Sequence, residues 1–119
     1  MKKPDALAAL AALAQDNRLD IFRLLVRAGS DGMPAGNIAT ALKLAPNTLT
    51  FHLDRLRDAG LATVRREGRS MIYAARYDTM NGLLGFLTEN CCQGNPERCL
   101  PTEAAKAARD PARRKEPVA

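Results

Sequence analysis

The chain has 119 residues, with 18 Lys and Arg against 13 Asp and Glu, a formal net charge of +5 and a pI near 9.5. A single domain of this size buries only roughly two-thirds of its unfolded surface, which excludes a large two-lobed enzyme. The 46% hydrophobic and 26% charged composition is globular, and the longest apolar run, Asp5 to Gln15, is too short and too rich in alanine to span a bilayer. No secretory signal follows Met1-Lys2-Lys3-Pro4-Asp5, so the expected location is cytoplasmic, with no membrane partner. With Tyr 2, Phe 3 and Trp 0, the core must be aliphatic, which suits helices packed on helices. The excess of base favours a polyanionic partner.

In chain order, Leu7, Leu10 and Leu13 recur among alanines from Asp5 to Gln15 and predict a helix with one narrow leucine stripe in need of a partner. Asp16 or Asn17 can cap a second helix through Leu19, Ile21, Phe22, Leu24, Leu25 and Val26, ending at Gly29; its apolar residues occupy more than one face, so it is central. Ser30-Asp31-Gly32 is turn chemistry, and after Pro34 the residues Ile38, Ala39 and Leu42 predict a short third helix. Pro46 suits the first turn of a fourth helix with a buried stripe of Leu49, Leu53 and Leu56, closed by Gly60. Joined by Lys43-Leu44-Ala45, helices three and four match helix-turn-helix geometry, with the second presented outward.

Residues Leu61 to Arg66 and Met71 to Tyr77 then read as a β-hairpin around Glu67-Gly68-Arg69-Ser70, a charged wing. Asp78 can cap a last helix in which Met80, Leu83, Leu84, Leu87 and Cys91 fall at helical spacing, ended by Gly94, Asn95 and Pro96. The fold class is mainly α with a β-hairpin wing. Residues 101–119 have no bulky apolar periodicity and read as a mobile basic tail.

With the leucine stripe inward, the fourth helix leaves Asn47, Thr48, Thr50, Phe51, Asp54 and Arg55 for its outer and flanking faces. Asn and Thr can bond base edges or phosphates, and Arg55 can neutralise backbone charge or read guanine. The alternative for each threonine is to satisfy the local backbone. Arg65, Arg66 and Arg69 surround the hairpin tip, able to reach a minor groove or flanking phosphates, against the plainer reading of a solvated turn. His52, the only histidine, reads as core packing, because a helical zinc site needs a further His or carboxylate one turn away.

All three cysteines, Cys91, Cys92 and Cys99, lie in one short turn-containing segment. The Gly/Asn/Pro turn can bring the third thiol back over the other two, and three soft donors with no fourth ligand suit a trigonal pyramid, the shape of trivalent arsenic or antimony. Adjacent helical side chains diverge by about 100°, so the helix end must fray or tighten for both neighbours to bind one ion. The rival is a redox switch in which Cys99 pairs with either neighbour as a reversible disulfide. A small thiol enzyme such as an arsenate reductase lacks a phosphate-cradling loop and a nearby His, so no enzyme is expected; a metal-sequestering protein without DNA activity would show no duplex binding.

From Ala45 to Tyr77 the sequence APNTLTFHLDRLRDAGLATVRREGRSMIYAARY, together with DNRLDIFRLL earlier, resembles the ArsR/SmtB family of metal-responsive winged-helix repressors. The resemblance covers about Leu7 to Leu87. It implies a homodimer built on the first and last helices, for which Leu7, Leu10, Leu13, Leu83, Leu84 and Leu87 fit the interface, and an operator bound in adjacent major grooves and released when metal binds. By the same resemblance Asn47, Thr48 and Thr50 match operator-reading positions, and Arg66 and Arg69 match the wing. The family's arsenic cysteines at the start of the third helix are replaced here by Met33, Pro34 and Ala35, and its zinc-sensing His and acidic residues on the last helix are missing. The CCx6C pattern resembles instead the arsenite-responsive members whose three thiols lie at the C-terminal end. The expected protein is therefore a homodimeric repressor of double-stranded operator DNA. Residues 1–90 would bind DNA and dimerise, residues 91–100 would take As(III) or Sb(III) as inducer through Cys91, Cys92 and Cys99, and no organic cofactor is expected. Oxidants, or another thiophilic metal such as cadmium or lead, are the alternative signals.

Overall fold

The computed structural model describes residues 1–90. Their elements are α1 Lys3–Leu13, α2 Asp16–Ala28, β1 Met33–Pro34, α3 Ala35–Leu42, α4 Pro46–Asp58, β2 Ala62–Glu67, β3 Ser70–Ala75 and α5 Tyr77–Leu87. Met1–Phe86 form one compact unit, and Leu87 opens a second of which only residues 87–90 are described. The expectations for Cys91, Cys92, Cys99 and the basic tail lie outside the described residues.

Helix α1 starts earlier than its leucine spacing predicts, because Pro4 is tolerated in a first turn. Its alanine side packs on α2 and α4: Ala6, Ala9 and Ala12 are buried, while Leu7 and Leu10 face outward. Small side chains let the helix axes approach closely and leave the leucine stripe on the surface of the single chain. The cap of α2 is Gln15 rather than Asp16 or Asn17; its Oε1 accepts the backbone N–H of Arg18 at 2.9 Å. Ile21, Phe22 and Leu25 are buried, and α2 touches α1, α3, α4 and β3, which makes it the central helix its all-round apolar pattern predicts.

One strand is absent from the sequence reading. Met33 and Pro34 pair antiparallel with Tyr73 and Ile72, so the hairpin becomes a three-stranded sheet of order β1-β3-β2. Two residues carry no alternation to detect, and Pro34 is admissible only because β1 lies at the sheet edge. Gly32 precedes it at φ +74° with its Cα against the Tyr73 carbonyl, where a Cβ has no room.

In α4, Leu49, Leu53 and Leu56 are fully buried as their spacing predicts. Lys43 ends α3 in the left-handed region at φ 56°, and the N–H of Leu44 returns to the Ala39 carbonyl at 3.0 Å. Strands β2 and β3 pair from Ala62↔Ala75 to Glu67↔Ser70. Glu67 and Ser70 thus belong to the ladder, and the turn is only Gly68-Arg69. Gly68 has φ 61° while Arg69 does not share the positive region, the signature of a type II′ hairpin turn. Tyr77 opens α5 rather than closing β3, because the Arg76 carbonyl accepts from Met80 at 3.1 Å and starts the helical pattern. Asp78 therefore sits inside the first turn rather than at the cap, and its carboxyl is held below the usual carboxylate range first by a hydrogen bond from Arg76 and then by the backbone of Thr79. The spacing carries the last helix on to Cys91; the observed helix stops at Leu87, and Asn90 takes a left-handed φ of 55°.

Candidate nucleic-acid interface

Burying Leu49, Leu53 and Leu56 turns the opposite side of α4 to solvent. Asn47, Thr48, Thr50, Phe51 and Arg55 are exposed on it, and Asp54 is half-buried at its margin. The helix begins at Pro46, so Asn47, Thr48 and Thr50 lie in its first turn and a half, where the Asn47 N–H and the helix dipole favour phosphate oxygens. Asn47 reinforces this end: its Oδ1 accepts the N–H of Thr48 at 3.0 Å. The Thr50 hydroxyl donates to the Pro46 carbonyl at 2.9 Å, the local alternative raised for the threonines. Its methyl and both lone pairs of its oxygen remain available.

Arg55 pairs with Asp58 at 3.0 Å and stands over the Phe51 ring at 5.5 Å from its centroid. Arg57 pairs with Asp54 at 3.6 Å on the flank. These ion pairs are exposed and contribute little stability, so exchanging a carboxylate for a phosphate costs little.

The wing residues are not equivalent. Arg65 is committed to the fold, its Nε donating to Glu67 at 2.9 Å and its Nη2 to the Asp31 carbonyl at 2.6 Å. It fastens the hairpin to the turn before β1. Arg66 donates to the Gly68 carbonyl at 3.1 Å, while Arg69, at the tip, takes no hydrogen bond or ion pair among the described residues.

His52 packs in the core at 7% exposure, in line with the structural role expected for it. Sequence reasoning misses its partner. Arg18 reaches from α2, its Nη1 donating to His52 Nδ1 at 3.3 Å and its Nε to the Ala12 carbonyl at 2.7 Å in the last turn of α1. Burial, and then the Arg18 charge, hold the imidazole below its ordinary pKa of 6.5, and because a guanidinium can only donate, Nδ1 is the accepting nitrogen in this contact. One guanidinium thereby ties α1 to the centre of α4. A contact 34 residues away in sequence leaves no local signal.

Of the leucines expected at a dimer interface, Leu7, Leu10, Leu84 and Leu87 are exposed and Leu13 is half-buried. Leu83 instead faces the chain's own core at 6% exposure; adjacent helical residues point about 100° apart, so Leu83 and Leu84 cannot share a face. Among the described residues no three His, Cys, Asp or Glu side chains gather as a metal site, and no helix is long and apolar enough to cross a membrane.

A helix-turn-helix domain model matches residues 13–65, from the end of α1 into β2. The HTH-type transcriptional regulator YgaV of Escherichia coli is 30% identical over 87 residues, 73% of this chain and 86% of that protein. HlyU of Vibrio cholerae, described as a transcriptional activator, is 28% identical over 90 residues, 76% of this chain and 81% of that protein. Its reduced form, solved as a structure, aligns with a TM-score of 0.58 at 26% identity over 75% of this chain and 90% of that one. A homodimeric winged helix-turn-helix DNA-binding domain from Mycobacterium bovis, described as a possible ArsR-family regulator, aligns with a TM-score of 0.60 at 25% identity over 77% of this chain and 85% of that one. On its winged fold and these relatives, the chain belongs to the ArsR/SmtB-like family of helix-turn-helix, DNA-binding transcriptional regulators.

Proposed function

We propose that the chain is a homodimeric repressor that holds its operator through α4 and the wing, and releases it when trivalent arsenic or antimony binds Cys91, Cys92 and Cys99. The observation that carries the DNA contact is the outward face of α4, polar at its N-terminal end through Asn47, Thr48 and Thr50 and carrying Arg55 toward its C-terminal end, beside a hairpin tip with an uncommitted Arg69. Asn47, Thr48, Thr50 and Arg55 would meet base edges and phosphates, and Arg66 and Arg69 the flanking backbone. Arg65 supports the wing from behind.

Dimerisation through α1 and α5 is favoured by the outward leucines, Leu7, Leu10 and Leu87 among them. Exposed apolar surface of this kind is costly in a monomer, and the M. bovis relative is homodimeric. The Arg18 bridge supplies a route for coupling: a movement of α1 at the dimer seam is felt by the Ala12 carbonyl, by Arg18 and so by His52 in α4.

The inducer reading rests on donor chemistry. All three cysteines of the chain lie between Cys91 and Cys99, with no histidine near them in sequence, and an all-thiol set suits thiophilic ions. A bound ion would supply a cross-link among the three sulfurs just beyond α5. The second reading, a disulfide switch between Cys99 and either neighbour, is favoured by one relative, HlyU, whose structure is known in a reduced form.

Adding arsenite to the protein–operator complex under strictly reducing conditions separates the two. Release is expected there, since no disulfide can form. Cys91→Ser is expected to keep DNA affinity and lose the arsenite response. A normal response in that variant would remove Cys91 from the site, and release by oxidant alone would favour the disulfide.

A further inference from the structure

Phe51 is the one large apolar side chain on the outward face of α4, and it is 56% exposed. It lies four residues after Asn47 and four before Arg55, so the three side chains form a single ridge along the helix. The ring is supported at two sides. Arg55 stands over it at 5.5 Å and is itself held by Asp58 at 3.0 Å, while the His52 ring meets it edge-on, with centroids 5.4 Å apart and planes at 66°. The rest of the phenyl ring faces outward in a preset position, so little side-chain entropy is lost when something covers it.

The neighbours decide what that is. Asn47, Thr50 and Arg55 are polar or cationic, which fits poorly against an apolar protein surface and well against the floor of a nucleic-acid groove. In the major groove the only apolar group on the edge of a normal base is the 5-methyl of thymine.

We propose that Phe51 is a specificity residue that reads a thymine methyl group in each operator half-site. This rests on the DNA-binding reading of α4 and adds to it a sequence requirement: a thymine at one fixed position.

The test uses the full chain. Duplexes are selected from a random pool, and each thymine of the selected half-site is then replaced singly by deoxyuridine, which removes only the methyl. At one position the wild-type protein is expected to bind the uridine duplex roughly fourfold more weakly, the factor for withdrawing one methyl from an apolar contact. Phe51→Ala is expected to bind the thymine and uridine duplexes equally, with an unchanged salt slope, since no charge is lost. Phe51 is outside the core, so the variant folds. Tolerance of uridine at every position by a tightly binding wild type, or the same thymine preference in Phe51→Ala, would overturn the proposal and leave α4 as the DNA-binding element. Failure to select any duplex would overturn both readings.

Discussion

Replacing Arg18 by methionine keeps much of the side-chain volume and removes both of its donors. The bond to Ala12 is 2.7 Å and that to His52 is 3.3 Å. Hydrogen bonds from a charged group contribute about 1.5–3 kcal/mol each. The Ala12 carbonyl, in the last turn of α1, and His52 Nδ1, in the core, both lose their donor, and the net cost is at least roughly 2–3 kcal/mol. For a unit of this size that lowers Tm by about 10–20 °C. The pH dependence gives a second readout. Unfolded histidine titrates near 6.5 and the folded His52 below it, so in that window the unfolded chain binds more protons and stability falls as pH falls. The limiting slope is about 1.4 kcal/mol per pH unit. Burial, the larger cause, survives in Arg18→Met, but the charge repulsion does not, so the acid loss shrinks without vanishing. Urea unfolding followed by circular dichroism at about pH 7.5 and about pH 5.5, at fixed chain concentration, measures both effects. An unchanged midpoint together with an unchanged pH difference would refute the bridge.

Gly32→Ala drives a methyl into the Tyr73 carbonyl at a positive φ and is expected to cost about 2 kcal/mol or more, seen as a lowered urea midpoint. Arg69→Gln should weaken binding to all duplexes alike and reduce the salt slope by about 1, while Arg65→Gln should lower stability as well, because its donors hold Asp31 and Glu67. Leu7→Glu places a charge on the outward stripe of α1; analytical ultracentrifugation should show monomers, and operator affinity should fall by at least about tenfold once the two half-sites no longer act together.

Helices with bulky stripes were legible from sequence. Leu49, Leu53 and Leu56 at helical spacing after Pro46 announce α4 and, by exclusion, its outer face. The features that escape are those with no local pattern: β1, two residues long and recruited by β3; the Gln15 cap; and Arg18, whose role exists only because α1, α2 and α4 meet. Leucine pattern alone also does not say which side of a helix faces its own core. In α1 the alanines do, and in α5 Leu83 does while Leu84 does not. Likewise the arginines of the wing are equivalent in sequence and are separated only by geometry, which commits Arg65 to the Asp31 carbonyl and leaves Arg69 at the tip.

The most direct measurement is an amide chemical-shift map of the nitrogen-15-labelled protein titrated with its operator duplex. Binding through α4 and the wing predicts the largest shifts at Asn47, Thr48, Thr50, Phe51 and Arg55 and at Gly68 and Arg69, with smaller shifts at Ala12 and Arg18 along the coupling route. Shifts centred on Leu7 and Leu10, with α4 and the hairpin tip unchanged, would contradict it.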